Sequence, residues 1–144
     1  DLITNRKTDY KFDLEKFTNV AGKTGIYIQY AQVRANKLIS TLNVGEQSIS
    51  ETSSKLDSLD RKLIITLANI EFYLELSVKN SEPHHLANYL YEISNAFNAF
   101  YQASNIKNIE DKIKKNQKIF VTGLFIKYSH LVMSCLGIKP VEKM

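Results

Sequence analysis

Apolar residues recur at three- and four-residue steps along most of the chain, which is the spacing of one face of an α-helix. The clearest stripe predicts a helix over residues 83–104, in which the apolar positions are Leu86, Leu90, Ile93, Phe97 and Phe100. A second stripe predicts a helix over residues 109–136, with the apolar positions Val121, Leu124, Tyr128, Leu131 and Cys135. This spacing puts each stripe on the side of its helix that packs against a neighbour.

Two more stripes and two breaks precede these helices. The turn at 22–25 comes before a helix that is predicted from about Ile26 to Leu42, with Thr24 as its N-cap. The residues that share a face of this helix are Tyr27, Tyr30, Ala31, Arg34 and Leu38. A further helix is predicted over 58–78, with the stripe Leu59, Leu63, Leu67, Ile70, Leu74 and Val78. Pro83 ends this region and suits the first turn of the next helix.

Beyond the first dozen residues, the chain shows no credible strand pattern. Residues 1–12 are predicted to be irregular, a short helix is predicted over 13–19, and the Ser-, Thr- and Gly-rich residues 43–56 are predicted to form a mobile connector. The chain has only two prolines and five glycines, which favours long helices over a β fold with many turns. The sequence predicts an all-α antiparallel bundle of about four main helices, with a lead-in over 1–20 and the bundle over 21–144.

The composition is that of a globular protein with a mildly basic charge. The 19 Lys and Arg residues exceed the 15 Asp and Glu residues, for a formal charge of +4, which permits nucleic-acid binding without establishing it. The single cysteine, Cys135, is expected to be a buried thiol in a reducing compartment. The apolar runs are too short to span a bilayer, so a cytoplasmic location without a membrane partner is expected. Because the first residue is Asp1, the sequence is expected to be part of a longer protein.

No catalytic or metal site is predicted. His84 and His85 are adjacent, so on a helix they point about 100° apart, and no cluster of cysteines or carboxylates completes a tetrahedral metal site with them. The turn at 22–25 contains a Lys-Thr pair but lacks the upstream glycine of a phosphate-binding loop. A metal-dependent or hydrolytic enzyme is therefore the least favoured class of function.

Three tyrosines and an arginine leave two interpretations open. Tyr27, Tyr30 and Tyr101 have apolar rings and polar tips, which suit either the edge of a core or stacking on unpaired bases. Arg34 follows Tyr30 by one helical turn on the same face, and a guanidinium beside tyrosine rings suits single-stranded RNA. The lysine-rich segment 107–118 is either a solvated helix start or a phosphate contact.

Several segments, in order along nearly the whole chain, resemble one protein family. Residues 22–34 (GKTGIYIQYAQVR) closely resemble the segment GNTGPYLQYAHAR of arginyl-tRNA synthetases, and residues 82–92 (EPHHLANYLYE) resemble that family's EPHRLANYLYE. Residues 96–101 (AFNAFY) continue in register, and residues 136–144 (LGIKPVEKM) resemble the family's terminal LGIxxPERM. The lead-in also resembles the end of the family's catalytic domain. Only the connector and parts of the helix predicted over 58–78 fall outside the resemblance.

The resemblance implies a DALR-type anticodon-binding helical bundle of a class I synthetase. In that family the residues that match Tyr27, Tyr30, Arg34, Tyr101 and Met144 surround the anticodon loop of the tRNA. The tyrosines are expected to stack on splayed bases or to donate to them, and Arg34 is expected to hold a phosphate or a base edge. Arginine anticodons all carry a central C, whose amino group is a donor, so the terminal carboxylate of Met144 is expected to accept from it.

The resemblance also implies partners and cofactors. The family's catalytic domain binds ATP and arginine with HxGH and KMSK-type motifs, and neither motif occurs in this sequence. No cofactor and no metal are therefore expected in this chain. The full enzyme is expected to contain the catalytic domain in cis, to use ATP with magnesium, and to bind arginine tRNA, and an oligomer is not expected.

A few positions depart from the family pattern. Ile26 replaces a proline, Gln32 a histidine and Lys143 an arginine, and Asn105 stands where some relatives carry an aromatic residue. These departures affect the detail of base contacts. The main rival interpretation is a helical protein-interaction module that kept the fold and lost RNA recognition, and the retained tyrosines and Met144 weigh against it.

Overall fold

The computed structural model describes residues 2–9, 11–18, 22–42 and 55–144. Its elements are the helices α1 (Leu14–Thr18), α2 (Gly25–Thr41), α3 (Ser58–Ala68), α4 (Ile70–Asn80), α5 (His84–Ser104) and α6 (Lys112–Cys135), with a 3-10 turn at Ile106–Asn108. No strand occurs within the described ranges. The predicted all-α class with four main helices is confirmed. Of the predicted connector, residues 43–54 lie outside the described residues.

Helix α5 lies at the centre of the bundle and packs against α2, α3, α4 and α6. Every residue of its predicted stripe is buried, and Phe97 stacks on Phe125 of α6 with the ring centroids 4.2 Å apart. Tyr89 is also fully buried, and its hydroxyl donates to the carbonyl oxygen of Leu67 in α3 at 2.8 Å. A buried hydroxyl without such a partner would cost free energy. This bond therefore also fixes the position of α3 on α5.

The helix predicted over residues 58–78 is two helices rather than one. Asn69 separates α3 from α4, and its backbone (φ −76°, ψ 5°) departs from the helical conformation. Its N–H bonds to the carbonyl oxygen of Thr66, three residues back, at 3.4 Å, which is the tighter 3-10 pattern. Asparagine is a poor helix former, which favours a break there. Beyond the break, Ile70 is buried and Leu74 packs against the core as the predicted stripe requires, but Val78 is 78% exposed.

Helix α6 buries a face that is rotated from the predicted stripe. Leu131 and Cys135 are exposed, so the predicted buried thiol is wrong. The buried residues of α6 are Gln117, Lys118, Val121, Thr122, Phe125, Ser129, Val132 and Met133. Half of them are polar, because this face packs against α2, α3 and α5, where polar groups find partners. The hydroxyl of Ser129, for example, donates to Gln32 Oε1 of α2 at 2.5 Å. Apolarity alone therefore locates this face incorrectly.

A buried lysine joins α6 to the start of α3. Lys118 is 1% exposed, and its Nζ donates to Asp57 at 2.5 Å and to Asp60 at 2.6 Å. Asp57 also caps α3, because its carboxylate accepts from the backbone N–H groups of Leu59 and Asp60. The ammonium lies 5.1 Å from the ring centroid of Phe100 in α5. For Lys118, the predicted solvated or phosphate-binding role is therefore wrong.

The chain reverses direction after α6 through a glycine. Gly137 has a φ of +70°, a left-handed conformation that only glycine adopts at little cost. The N–H of Gly137 bonds to the Ser134 oxygen at 3.1 Å, and the N–H of Ile138 bonds to the Met133 oxygen at 2.8 Å. This pair of bonds is the Schellman motif that ends many helices. It directs the residues after α6 back towards α2.

The lead-in lies against the corner between α4 and α5. Arg6 Nη2 donates to the carbonyl oxygen of Ser81 at 2.8 Å, and Lys7 Nζ pairs with Glu82 at 2.8 Å. Basic side chains are favourable at the C-terminal end of a helix, where carbonyl groups lack partners. Within the described residues, no helix is both long and apolar enough to cross a membrane.

We predict that Lys118→Met destabilises the protein by about 3–5 kcal/mol, because Asp60, which is 1% exposed, is left buried without its cation. Methionine keeps most of the apolar volume of the side chain, so reduced packing contributes little. The free energy of unfolding, measured by urea denaturation, tests the prediction. An equal change for the exposed control Lys127→Met would contradict it.

The same contact makes stability depend on pH. Burial raises the pKa of Asp57, but hydrogen bonds from Lys118 and the backbone outweigh that effect and hold the pKa below its ordinary value of 3.8. Such a group stabilises the fold above its unfolded pKa, and the contribution is lost as the pH falls through the folded pKa. We expect wild-type stability to fall as the pH drops below 3.8, with a smaller fall for Lys118→Met.

Two glycine-to-alanine variants should have opposite effects. Gly137→Ala is expected to destabilise by about 1–2 kcal/mol, because alanine is strained at a positive φ. No heavy atom lies within 4 Å of an added Cβ at either Gly137 or Gly123, so a clash does not contribute. Gly123→Ala, within α6, is expected to stabilise by about 0.5–1 kcal/mol. Thermal denaturation checks both values, and two changes of the same sign would contradict the account of the turn.

Candidate nucleic-acid interface

Four of the five residues that the resemblance singles out line one hollow. The hollow lies between α2, α5 and the segment that follows α6, and its volume is about 380 Å³. Its lining residues are Tyr30, Val33, Arg34, Lys37, Leu38, Tyr101, Lys107 and Met144. Residues from distant parts of the sequence therefore meet at one surface site.

Arg34 contacts side chains of both helices that line this hollow. Its Nη2 donates to the hydroxyl oxygen of Tyr30 at 2.7 Å, and its Nη1 donates to Asn98 Oδ1 at 3.2 Å. The guanidinium carbon is 4.4 Å from the ring centroid of Tyr30 and 5.0 Å from that of Tyr101. Both distances are typical of cation–π contacts. Arg34 therefore links a ring on its own helix to a ring on α5.

Helical spacing explains half of this arrangement and helix packing the other half. Tyr30 and Arg34 are four residues apart on α2, and Asn98 and Tyr101 are three apart on α5, so each pair shares a helix face. The contact of α2 with α5 then brings the two faces together. Tyr101 is held by the core as well, since its ring lies 6.0 Å from that of Phe97.

Tyr27, the fifth singled-out residue, lies apart from the hollow. Its hydroxyl donates to Asn95 Oδ1 at 3.2 Å, and its ring centroid is 5.5 Å from that of Tyr91. Because Tyr27 meets Asn95 and Arg34 meets Asn98, α2 and α5 run in the same direction. Tyr27 is thus one turn from the hollow along the same groove between the helices.

Two lysines belong to the site without having been singled out. Lys37 lines the hollow three residues after Arg34, so helical spacing alone could have identified it. Lys107 belongs to the predicted lysine-rich segment, but only the 3-10 turn after α5 carries it into the hollow. Every charged side chain among the described residues that line the hollow is basic. The site is therefore electrostatically suited to an anion.

The hollow offers the groups that an unpaired nucleotide requires. Tyr30 is 41% exposed, which leaves part of its ring open to a stacking base. The charges of Arg34, Lys37 and Lys107 suit phosphate groups. Met144 is 63% exposed and adds an apolar surface at the rim. No catalytic chemistry follows from this arrangement.

Met144 also lines a second hollow, together with other residues of the segment after α6. This second hollow has a volume of about 470 Å³. It is lined by Gly25, Ile26, Ile28, Gln29, Ile138, Val141, Lys143 and Met144. Met144 therefore lines both hollows.

A separate cluster of possible metal ligands lies at the start of α5. Ligand atoms of Glu82, His84 and His85 lie within 4.8 Å of one another, and the imidazole centroids are 4.0 Å apart. The expectation that the two histidines point apart is therefore wrong, because side-chain torsions bring the rings together. Glu82 already bonds to Lys7 at 2.8 Å and to His85 at 3.0 Å, and these bonds lower the pKa of Glu82. That this chain binds no metal stays a prediction.

Comparison with known proteins gives one consistent family. The sequence model of the DALR anticodon binding domain matches residues 28–144. Arginine–tRNA ligases from Actinobacillus succinogenes and Pasteurella multocida are 37% and 35% identical to this chain, over 144 and 145 residues. Each alignment covers 100% of this chain, but only 25% and 26% of the respective relative. The chain thus spans about a quarter of the length of these relatives.

The fold is also similar to that of solved structures. The crystal structure of arginyl-tRNA synthetase from Plasmodium falciparum matches 100% of this chain with a TM-score of 0.86 and 30% sequence identity, over 25% of its own length. Arginyl-tRNA synthetase from Thermus thermophilus matches 88% of this chain with a TM-score of 0.77, over 22% of its own length. At 23% identity, the second match supports the fold alone.

Proposed function

This chain belongs to the family of DALR anticodon-binding domains, and we propose that it recognises the anticodon loop of an arginine tRNA. The observation that carries the proposal is the meeting of Tyr30, Arg34, Tyr101 and Met144 at one basic hollow. Such a site combines ring faces, positive charge and an apolar rim. Similarity to arginine–tRNA ligases supports arginine tRNA as the partner.

In the proposed complex, aromatic stacking selects unpaired bases. Tyr30 and Tyr101 face Arg34 from two helices, so a base that enters the hollow meets a ring and a guanidinium together. Stacking of a base on an aromatic ring contributes about 1–3 kcal/mol. Tyr27 lies one helical turn away and contacts a neighbouring nucleotide. Met144 packs against the base at the central position of the anticodon.

The basic side chains hold the backbone of the loop. Lys37 and Lys107 both line the hollow, from α2 and from the 3-10 turn after α5. Phosphates bound there would fix the register of the loop without reading its sequence. Base selection and phosphate binding therefore reside in different side chains, and mutation can separate them.

We further propose that the whole protein is an arginine–tRNA ligase, which attaches arginine to its tRNA with ATP and magnesium. Residues 1–20 would then lead from a catalytic domain in cis into the anticodon-binding bundle of residues 21–144. The contacts of Arg6 and Lys7 with the α4–α5 corner support such a fixed junction. The proposed location is the cytoplasm, and the proposed state is a monomer.

The central test is binding to two anticodon stem-loops, one from an arginine tRNA and one in which the central C is changed to U. We expect the C-to-U change to weaken binding about tenfold or more, because one wrong base typically costs about 1–3 kcal/mol. Fluorescence anisotropy at several salt concentrations measures both affinities.

The salt series separates the alternatives. Equal, salt-sensitive binding of both stem-loops would leave only a basic helical bundle, because phosphate contacts give a salt dependence without base preference. Absence of binding at low salt would favour a protein-interaction module with the same fold. Either result would contradict the proposed function.

Variants of the hollow should separate base selection from phosphate binding. Tyr30→Ala is expected to weaken binding of the arginine stem-loop at least about fivefold, because a stacking ring is removed, with an unchanged salt slope. The double variant Lys37→Ala, Lys107→Ala is expected to lower the salt slope by about 0.7 for each phosphate that is no longer neutralised and to keep the C-over-U preference. Anisotropy titrations of both stem-loops give both quantities.

Lys127→Ala is the matched control for the charge change, because Lys127 is exposed on α6 and does not line the hollow. This control should leave the salt slope nearly unchanged. If Lys127→Ala lowers the slope as much as each hollow lysine does, the phosphate-binding surface lies elsewhere.

A further inference from the structure

The segment after α6, residues 137–144, accepts one hydrogen bond from the side chain of Gln29 in α2 and donates another to it. Gln29 Nε2 donates to the carbonyl oxygen of Lys139 at 2.9 Å, and Gln29 Oε1 accepts from the N–H of Val141 at 3.0 Å. We propose that Gln29 is a positioning residue that holds this segment, and with it Met144, in place for anticodon recognition. This inference rests on the proposed function.

The side-chain amide of Gln29 pairs with the backbone of the segment in the same way that the backbone of an adjacent β-strand would. A primary amide both donates and accepts, so it pairs with one carbonyl and one N–H of an extended chain. The residue between the two bonded positions is Pro140, which has no N–H to offer and a fixed φ. The bonds to Lys139 and Val141 therefore flank a stiff residue, and together they define the direction of the segment.

The chemistry of the contact requires glutamine at this position. Alanine would remove both bonds. Glutamate would accept from the Val141 N–H but would place a carboxylate against the Lys139 carbonyl oxygen, where no donor remains. Asparagine is one methylene shorter, so it cannot reach both groups from the same backbone position.

The hydrogen bond between Gln29 and Val141 affects the candidate site because Met144, three residues after Val141, lines the hollow. Three extended residues span only about 10 Å, so fixing Val141 limits how far Met144 can move from the hollow that it lines with Tyr30 and Arg34. Before Lys139, the segment is anchored by the turn at Gly137. Because this segment is already in place before RNA binds, the complex does not lose the conformational entropy of ordering it.

Gln29 is not needed to build the fold. It is partly exposed and stands outside the core cluster. Alanine is the better helix former, so Gln29→Ala should keep α2 intact. A loss of RNA recognition in this variant would therefore report on the segment rather than on the stability of the bundle.

The first experiment measures the hold without RNA. Hydrogen exchange of the Val141 amide should become about fivefold faster in Gln29→Ala, as expected when one hydrogen bond is removed. Amides of the α5 core should exchange as in the wild type. Unchanged exchange at Val141 would overturn the contact itself.

The second experiment measures binding of the central-C and central-U stem-loops to the whole chain. Gln29→Ala and Gln29→Glu should reduce a wild-type preference of about tenfold to about threefold or less, with an unchanged salt slope. The matched control is Asn116→Ala, which removes an exposed side-chain amide near the start of α6, far along the helix from the segment that follows it. This control should keep the full preference for C. Gln29→Ala should also have no further effect in a variant that lacks residues 139–144.

The outcomes distinguish this inference from the proposed function. If the wild type shows no preference for C, the proposed function fails. The role of the segment in anticodon recognition then fails too, whatever the exchange data show. If wild type prefers C and Gln29→Ala prefers it equally while Val141 exchanges faster, only the positioning role is overturned. Loss of both preference and exchange protection, with the melting temperature unchanged, supports the positioning role.

Discussion

Helix α5 is enclosed by α2, α3, α4 and α6, and this enclosure leaves little of its surface for polar side chains. Where α5 meets α2, the side chains that remain partly open include Tyr91 and Tyr101. Because α2 runs in the same direction as α5, Arg34 reaches both Asn98 and the ring of Tyr101. A shift of α2 by one residue along α5 would move these groups by about 1.5 Å and turn them by about 100°. The candidate site thus depends on the register of two helices.

Buried polar groups contribute to that register. Lys118 with its two carboxylates joins α6 to α3, and Ser129 with Gln32 joins α6 to α2. Apolar faces can slide with modest change in buried area, whereas an unpaired buried ammonium or hydroxyl costs free energy. The pairs therefore favour one alignment of the helices. They also place α6 so that the turn at Gly137 delivers the following segment to α2.

Sequence patterns predicted the parts of the fold that follow from local rules. The stripe of α5 is buried as predicted, and Thr24 caps α2 through its hydroxyl, which accepts from the Tyr27 N–H at 3.3 Å. The break at Asn69 and the rotated face of α6 were not predicted. For α6 the reason is that hydropathy assigns Lys118 to solvent and carries no information about its partners at the start of α3. In the site, helical spacing could pair Tyr30 with Arg34. The approach of the partners from α5, the 3-10 turn and the segment after α6 is a tertiary result. For Tyr101 and Met144, only the family resemblance indicated it.

The most direct measurement is an NMR titration of the labelled chain with the anticodon stem-loop of an arginine tRNA, following backbone amide shifts residue by residue. Recognition at the hollow predicts that the largest shifts cluster in three separate stretches: residues 27–38 of α2, 98–107 at the end of α5, and 139–144 after α6. The α4–α5 corner around His84 should change little, since it lies outside the hollow. Shifts centred on that corner, or spread evenly over the basic surface, would contradict the assignment of anticodon recognition to this hollow.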